Sequence, residues 1–339
     1  MPESTATSEI IFRAKDLKKW FPVRRRLRQA IRGERRHVRA VDGISFDVRK
    51  GEIFGLIGES GCGKTTTGKL VMKLLEPTSG TIEFEGTDAT RLEKDALAAY
   101  RRKVQMVFQD PYASMNPRFK IRDVLEEPLL VHGIGRSQRE RDELVEQALA
   151  AVKLTPVSDF MGRFPHMLSG GQRQRAATAR TLILSPDLLV ADEPVSMIDL
   201  STRAEILAMM KELQRQFGLT YLYITHDLST ARYFTDRIAV MYLGRIVEIG
   251  SPDDVVDHPV HPYTRALIAA VCEPVSGQVD IIKELPIKGE IPSAADIPAG
   301  CRFHPRCVFA TADCSALAEP ELETVGEGHQ AACRRWKEI

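Results

Sequence analysis

The chain has 339 residues, of which 43% are hydrophobic and 27% are charged, as is usual for globular proteins. Its formal net charge of +1 excludes a global field that would attract nucleic acid. No apolar run approaches the length of a membrane span, and the first residues lack the basic-then-apolar order of a signal peptide. We therefore expect a cytoplasmic protein that reaches a membrane only through a partner.

The first elements along the chain are two predicted strands separated by a basic segment. Residues 1–9 are polar, and we expect them to be disordered. A strand is predicted at 10–21, and residues 38–48 alternate apolar and polar side chains as a half-buried strand does. The basic run at 24–36 could bind nucleic acid or an anionic membrane, or could be a solvated insertion. The insertion is favoured because no aromatic residues are interleaved with the arginines.

A phosphate-binding loop follows a short apolar strand predicted at 53–57. Residues 58–66 fit the pattern G-x-x-x-x-G-K-[ST], and a helix is predicted at 66–75. In such a loop the backbone N–H groups and the following helix N-terminus attract phosphate. Lys64 would contact the β- and γ-phosphates, and the Thr65 hydroxyl would bind Mg²⁺. The predicted nucleotide-binding residues of this loop are Gly58, Ser60, Gly61, Cys62, Gly63, Lys64, Thr65 and Thr66.

The chain then alternates strands with helical segments up to about residue 250, where recurring prolines indicate a domain boundary. The continuous apolar run at 188–191 is typical of a parallel strand that is covered on both faces. The segment 121–164 has helical periodicity and predicts an inserted helical subdomain. Further strands are predicted at 81–84, 104–108, 221–225, 238–241 and 245–249, and further helices at about 170–184 and 202–217.

Polar residues stand at the predicted carboxyl ends of three strands, which is where open α/β sheets bind ligands. Asp192 could hold Mg²⁺ through its water shell, and Glu193 could orient and polarise an attacking water. Gln109 could sense metal and water together, and His226 could donate a hydrogen bond to the γ-phosphate. Each alone could be a helix cap or a structural residue. Their order after a phosphate loop favours hydrolysis of a γ-phosphate.

The sequence 168–172, Leu-Ser-Gly-Gly-Gln, resembles the signature motif of the ATP-binding subunits of ABC transporters. The resemblance implies an α/β fold, namely a P-loop NTPase ABC nucleotide-binding domain. Such a domain has an antiparallel β subdomain and an inserted helical subdomain, to which a small Cys-containing C-terminal domain would be added. It also implies that ATP is sandwiched between the phosphate loop of one subunit and the signature motif of a second. The implied signature contacts are Ser169, Gly170, Gly171 and Gln172.

Further site residues carry over from this resemblance one by one. Glu193 matches the catalytic base, Gln109 the Q-loop glutamine and His226 the switch histidine. Asp199 matches the D-loop aspartate. An aromatic residue of the first strand stacks on adenine in the family, and Phe21 fits best by position, with Trp20 next. The implied domains are an ABC ATPase domain at 10–250 with a helical subdomain at about 110–168, and an oligopeptide-transporter-type C-terminal domain at 251–339.

Two further segments, 108–118 and 261–265, resemble the importers of oligopeptides and dipeptides. The resemblance implies two transmembrane permease subunits, a second ATPase subunit that is identical or different, and an extracytoplasmic solute-binding protein. It also implies a peripheral position on the cytoplasmic face of the membrane and no nucleic-acid partner. Residues 196–199, Ser-Met-Ile-Asp, depart from the usual Ser-Ala-Leu-Asp and look like members that import oligosaccharides or glycosides.

Rival interpretations come from other classes of protein. A soluble ABC ATPase acting on DNA or ribosomes would carry a long coiled coil before the signature, or two cassettes, and the sequence shows neither pattern. A small-molecule kinase shares the phosphate loop but lacks the signature motif.

The tail contains four clustered cysteines, and the resemblance to peptide importers implies that they hold a [4Fe-4S] cluster. A tetrahedral zinc site is the chemical alternative, and four unligated buried thiols are a third possibility because no Cys-x-x-Cys pair is present. The implied ligands are Cys301, Cys307, Cys314 and Cys333.

Overall fold

A computed structural model describes residues 9–23, 36–271 and 287–339. The predicted disorder at the N-terminus and most of the basic segment lie outside these residues. The described strands form two sheets. The strands are β1 (Ile10–Pro22), β2 (His37–Arg49), β3 (Ile53–Ile57), β4 (Ser79–Phe84), β5 (Thr87–Asp88), β6 (Val104–Val107), β7 (Leu188–Asp192), β8 (Thr220–Thr225), β9 (Arg237–Tyr242), β10 (Arg245–Gly250), β11 (Glu323–Gly326) and β12 (His329–Ala331).

Helices cover the sheets and form the predicted insertion between β6 and β7. The segment 121–164, which has helical periodicity in the sequence, contains two helices and a single helical turn. The helices are α1 (Lys64–Val71), α2 (Lys94–Lys103), α3 (Pro111–Ser114), α4 (Ile121–Val131), α5 (Gln138–Ala151), α6 (Ser158–Met161), α7 (Gly170–Leu182), α8 (Leu200–Phe217), α9 (Leu228–Phe234), α10 (Pro252–Asp257), α11 (Pro262–Val271) and α12 (Ala312–Ala316), with a 3₁₀ turn at Pro165–Met167.

The larger sheet has the strand order β11-β12-β10-β9-β3-β8-β7-β6, and the five strands from β9 to β6 are parallel. Alternate residues of β8 point into two separate cores: Tyr221 and Tyr223 face the inserted helices, whereas Leu222 and Ile224 face the antiparallel sheet. This two-sided burial explains the continuous apolar runs in the central strands. The smaller antiparallel sheet, of order β2-β1-β4-β5, packs over one face.

Two local outcomes refine the sequence prediction. The helix predicted at 66–75 begins two residues earlier, at Lys64. The residue before it, Gly63, has a left-handed conformation, which ends the loop there. It ends at Val71, and Lys73 has a φ of 54° that a helix cannot accommodate. The predicted hairpin is confirmed as β9 and β10, whose turn residues Leu243 and Gly244 both have positive φ.

The C-terminal segment joins the larger sheet. β12 pairs antiparallel with β10, and β11 pairs with β12. Residues 323–331 therefore extend the same sheet that carries the phosphate loop, although the sequence places a domain boundary near residue 250.

Candidate functional site

The phosphate loop connects β3 to α1 and is enclosed by its neighbours. A Cβ atom on Gly58, where φ is 156°, would lie 2.2 Å from the carbonyl oxygen of Met241. A Cβ atom on Gly63, where φ is 115°, would lie 2.1 Å from the carbonyl oxygen of Ala40. Side chains at these two positions would collide with backbone, so the loop needs glycine there for space as well as for conformation. Around Gly61, by contrast, the Cβ direction is open.

Lys64 lies inside this loop and is only 5% exposed. Its Nζ donates to the carbonyl oxygens of Gly58 at 2.7 Å and Glu59 at 2.9 Å. The ammonium is thus held at the centre of the loop, where phosphate oxygens would compete with these carbonyls for it.

The Thr65 hydroxyl and the Asp192 carboxylate meet at the start of α1, where the hydroxyl donates to Oδ1 at 3.2 Å. Burial raises the pKa of Asp192, while the hydrogen bond from Thr65 opposes that change. Hydroxyl and carboxylate oxygens are the ligands that Mg²⁺ prefers, so this pair is chemically suited to the predicted magnesium site.

Glu193 is held between the two other strand-end residues that the sequence selects. Its Oε2 accepts a hydrogen bond from Gln109 Nε2 at 3.0 Å, and its Oε1 lies 3.0 Å from His226 Nδ1. The three residues follow β6, β7 and β8, which are adjacent in the sheet, and this order brings them together. The Glu193 side chain is 16% exposed and the His226 side chain 58% exposed, so water can reach the carboxylate from the histidine side.

The backbone fixes Glu193 in an uncommon conformation. Its φ is 46°, in the left-handed region that a residue other than glycine enters at a cost. The Glu193 N–H donates to the carbonyl oxygen of Ile224 on β8 at 2.8 Å, which holds this turn in place. This hydrogen bond to β8 therefore fixes the direction of the Glu193 side chain.

The signature segment forms the N-terminus of α7, a helix of 13 residues. The Ser169 hydroxyl accepts from the N–H of Gln172 at 3.3 Å, and Gln172 Oε1 accepts from the N–H of Ser169 at 3.1 Å. This reciprocal cap fixes the helix end. Ser169 and Gly170 are exposed, while Gly171 packs against Thr202. The helix end therefore presents its N–H groups outward, where a second molecule can place an anion.

The two aromatic candidates for adenine stacking differ in their contacts. The Trp20 side chain already has two contacts within the protein. Its Nε1 donates to Asp42 Oδ1 at 2.7 Å, and the Arg39 guanidinium lies 4.9 Å from the indole centroid. Phe21 has the Lys19 ammonium 5.4 Å from its ring centroid. Both stand at the end of β1, whose partner strand passes beside the loop at Ala40.

Asp199 caps α8 and is exposed. Its Oδ1 accepts from the Ser201 hydroxyl at 2.7 Å and from the Thr202 N–H at 3.0 Å. These hydrogen bonds lower the pKa of Asp199 to about 2, so the carboxylate stays ionised at the surface.

Two residues that sequence reasoning did not assign to the site, Arg306 and Tyr263, contact the phosphate loop. Arg306 binds the carboxylate of Glu59, and the Tyr263 hydroxyl accepts from the Glu59 N–H. Tyr263 lies in the segment 261–265, whose likeness to peptide importers indicates a subgroup but no contact. Arg306 lies outside that segment, next to Cys307.

The four tail cysteines line one small pocket together with Phe303, Phe309 and Arg335. Burial, together with a smaller effect of the neighbouring thiols, raises the pKa of Cys301 to about 11. Burial also raises the pKa of Cys307 and Cys333. Across the described ranges, however, no group of three or more His, Cys, Asp or Glu side chains is arranged to hold a metal ion. The thiols therefore share a pocket without forming a coordination site.

None of the helices in the described part of the chain combines the length and the apolar character that crossing a bilayer requires.

Comparison with known families finds two matches. The sequence profile of the ABC transporter family matches residues 41–196. The profile of the C-terminal region of oligopeptide/dipeptide transporters matches residues 247–314.

Individual proteins resemble almost the whole chain. The oligopeptide transport ATP-binding protein AppF of Bacillus subtilis is 46% identical over 333 residues, which are 97% of this chain and 98% of that protein. A dimeric ATP-binding cassette, MJ0796, solved in a post-hydrolysis state with ADP and Pi, is 27% identical and superposes with a TM-score of 0.62. That comparison covers 71% of this chain and 99% of the cassette. The ADP form of MJ1267, an ATP-binding cassette of an ABC transporter, is 26% identical with a TM-score of 0.61, covering 74% and 96%.

Proposed function

This chain belongs to the ABC transporter family of ATP-binding proteins, and on that premise we propose that it is the ATP-hydrolysing subunit of a membrane importer of oligopeptides. The observation that carries the proposal is the convergence of Gln109, Glu193 and His226 beside a phosphate loop, in a chain that also exposes a capped signature helix. The likeness to an oligopeptide transport protein over 97% of the chain supports the class of solute.

The proposed roles follow from the contacts at each strand end. Lys64 and the loop N–H groups bind the phosphates of ATP, and the oxygens of Thr65 and Asp192 are suited to Mg²⁺, which neutralises developing negative charge when bound. Glu193 takes a proton from the attacking water. Gln109 and His226 hold the Glu193 carboxylate by one oxygen each, and His226 is exposed enough to turn toward the γ-phosphate.

The exposed signature helix supports an ATP-driven dimer. The second subunit, identical or different, places the phosphates of its own loop on Ser169 and the glycine N–H groups. The cassette in the post-hydrolysis structure is itself dimeric. A Ser169→Arg substitution would fill this anion site with a long side chain, while Thr87→Arg, on the exposed strand β5 and outside the proposed permease contact, serves as its control.

We expect Ser169→Arg to abolish ATP-dependent association and hydrolysis in the assembled transporter, while each subunit still binds ATP through its own loop. Association is measured by size-exclusion chromatography with and without ATP, and binding by calorimetry. Unchanged association and turnover would refute the sandwich arrangement.

The proposed partners are two permease subunits at the cytoplasmic face of the membrane, fed by an extracytoplasmic solute-binding protein. The contact falls between Gln109 and Ser169, a segment that exposes several large apolar side chains. These are Tyr112, Phe119, Leu130, Val131 and Met167. Val131 is 75% exposed, and its replacement by Glu should abolish copurification with the permeases without lowering the affinity for ATP.

The solute class is tested with the cognate binding protein. Oligopeptides should bind it and stimulate ATP hydrolysis by the assembled transporter. The Ser-Met-Ile-Asp sequence at 196–199 makes oligosaccharides or glycosides the second candidate solutes. If only those sugars stimulate ATP hydrolysis, the transported solute is a sugar and not a peptide.

We propose that the tail cysteines, which are not grouped as metal ligands in the described residues, draw together around a [4Fe-4S] cluster when one binds, because four thiols line one pocket and Cys₄ ligation is the usual requirement. The pKa values of Cys301, Cys307 and Cys333 are raised, so cluster binding to these thiols would release protons. Protein purified without oxygen should be brown and contain about four iron atoms per chain. A colourless preparation with one zinc would identify the tetrahedral zinc site instead, and a metal-free one would show free thiols.

A further inference from the structure

Glu59, the second residue of the phosphate loop, is held from three directions. Its carbonyl oxygen accepts from Lys64 Nζ at 2.9 Å. Its N–H donates to the Tyr263 hydroxyl at 2.9 Å. Its carboxylate receives two hydrogen bonds from Arg306, at 2.7 and 3.0 Å. Two of these three contacts come from the C-terminal segment, more than 200 residues away in sequence.

The Arg306 contact is a two-point ion pair between a buried guanidinium and a carboxylate whose side chain is 25% exposed. Arg306 is 6% exposed, and its guanidinium lies 5.7 Å from the ring centroid of Tyr242 and 5.9 Å from that of Phe303. A guanidinium that donates twice to one carboxylate fixes both the distance and the orientation of that carboxylate. Because the pair lies largely away from water, removing the arginine alone would leave Glu59 as an unpaired carboxylate beside the phosphates.

The Tyr263 side chain is also held in place by neighbouring residues. Tyr263 is fully buried near the start of α11, where its N–H donates to Nδ1 of His261 at 3.1 Å. The His261 N–H in turn donates to the buried carboxylate of Glu248 on β10 at 3.0 Å. A series of hydrogen bonds that begins at Glu248 in the larger sheet thus holds the Tyr263 side chain beside the loop. This gives the segment 261–265 a physical task at the nucleotide site.

We propose that Arg306 and Tyr263 are positioning residues for ATP: they fix Glu59, and through the Glu59 carbonyl they place the Lys64 ammonium for the phosphates. The inference rests on the proposed ATPase function and assigns part of the nucleotide affinity to the C-terminal segment. Arg306 lies between Cys301 and Cys307 in sequence, so the same contact connects the cysteine pocket to the phosphate loop.

The test is the affinity of the full chain for Mg-ADP, measured by isothermal titration calorimetry. Tyr263→Phe removes one hydroxyl and leaves the Glu59 N–H without its acceptor, and we expect the Kd to rise about fivefold. Arg306→Gln leaves the carboxylate unpaired, and we expect the Kd to rise at least about tenfold. Adding Glu59→Gln to Arg306→Gln removes that unpaired charge without restoring the two-point contact, so the Kd should fall but stay at least about threefold above that of the wild type.

Two variants with comparable burial serve as matched controls. Arg302 is 5% exposed and docks the same segment, but it pairs with Asp42 at 2.6 Å instead of the loop. The Tyr221 hydroxyl is buried and donates to the Met210 carbonyl oxygen at 3.3 Å. Arg302→Gln and Tyr221→Phe should lower the thermal midpoint without changing the Kd.

Turnover by the assembled transporter gives a second readout. In Tyr263→Phe we expect the KM for ATP to rise while kcat stays within about twofold, because the loop is mispositioned but the hydrolytic residues are intact. If Tyr263→Phe and Arg306→Gln bind Mg-ADP as the wild type does and lose only thermal stability, the residues merely dock the segment and the proposal is overturned. If the wild type binds no Mg-ADP, the ATPase function fails with it, and the two failures are distinct.

Discussion

Replacement of Glu193 by glutamine tests the proposed general base while leaving the other residues of the site unchanged. Glutamine has the shape of glutamate but cannot accept a proton from water at neutral pH. Its amide oxygen can still accept from Gln109, and its NH₂ group can donate to His226 Nδ1 when that nitrogen is unprotonated. The substitution therefore keeps the geometry and exchanges about one hydrogen bond, whose loss would cost about 1 kcal/mol of stability.

The kinetic effect should be far larger than the effect on stability. A positioned general base contributes about 10²–10⁴ in rate, which corresponds to about 3–5 kcal/mol of transition-state stabilisation. We expect Glu193→Gln to lower kcat by at least about 100-fold while ATP binding persists, and the ATP-bound dimer to accumulate.

The assay is phosphate release at saturating Mg-ATP from the transporter in membranes, beside calorimetric ATP binding by the isolated chain. Glu205→Gln is the control, since this carboxylate is 67% exposed and pairs with Arg175 on the surface at 3.1 Å. The control should hydrolyse ATP at the wild-type rate. A Glu193→Gln variant with kcat within about threefold of the wild type would refute the assignment of the base.

The remaining predictions concern the metal and pH. Thr65→Val removes the hydroxyl that contacts Asp192, so half-maximal hydrolysis should require at least about tenfold more Mg²⁺, whereas Thr65→Ser should behave as wild type; equal Mg²⁺ dependence of both would contradict the metal site. Burial lowers the pKa of His261 from 6.5 to about 4, so its contribution to stability is complete above pH 6.5 and is lost as the pH falls toward 4. Urea unfolding should show a loss of up to about 3 kcal/mol over that range, and His261→Gln should flatten the dependence.

Much of the site could be predicted because its signals are local. The phosphate loop is a run of nine residues with a buried strand before it and a helix after it, and both flanking elements are found where the sequence indicates. The caps of the signature helix lie three residues apart, which a linear pattern can specify. Strand ends that carry polar residues are equally visible in sequence, since a buried run must stop where Gln109, Glu193 and His226 begin.

The contacts among those strand ends depend on sheet order. β6, β7 and β8 are neighbours, so Gln109 and His226 reach opposite oxygens of Glu193, but a list of apolar runs does not say which strands are adjacent. The tail shows the same limit more strongly. Composition separates the residues beyond 250 from the core, whereas the hydrogen bonds of β12 to β10 attach them to its sheet.

The sequence alone determined the loop and the signature helix and selected the candidate hydrolytic side chains, because turns, caps and periodicity act over a few residues. Only the tertiary structure decided that Arg306 and Tyr263 grip Glu59, across separations of 247 and 204 residues. Such contacts arise when the packing of whole elements brings distant segments into register, and no short pattern encodes the outcome.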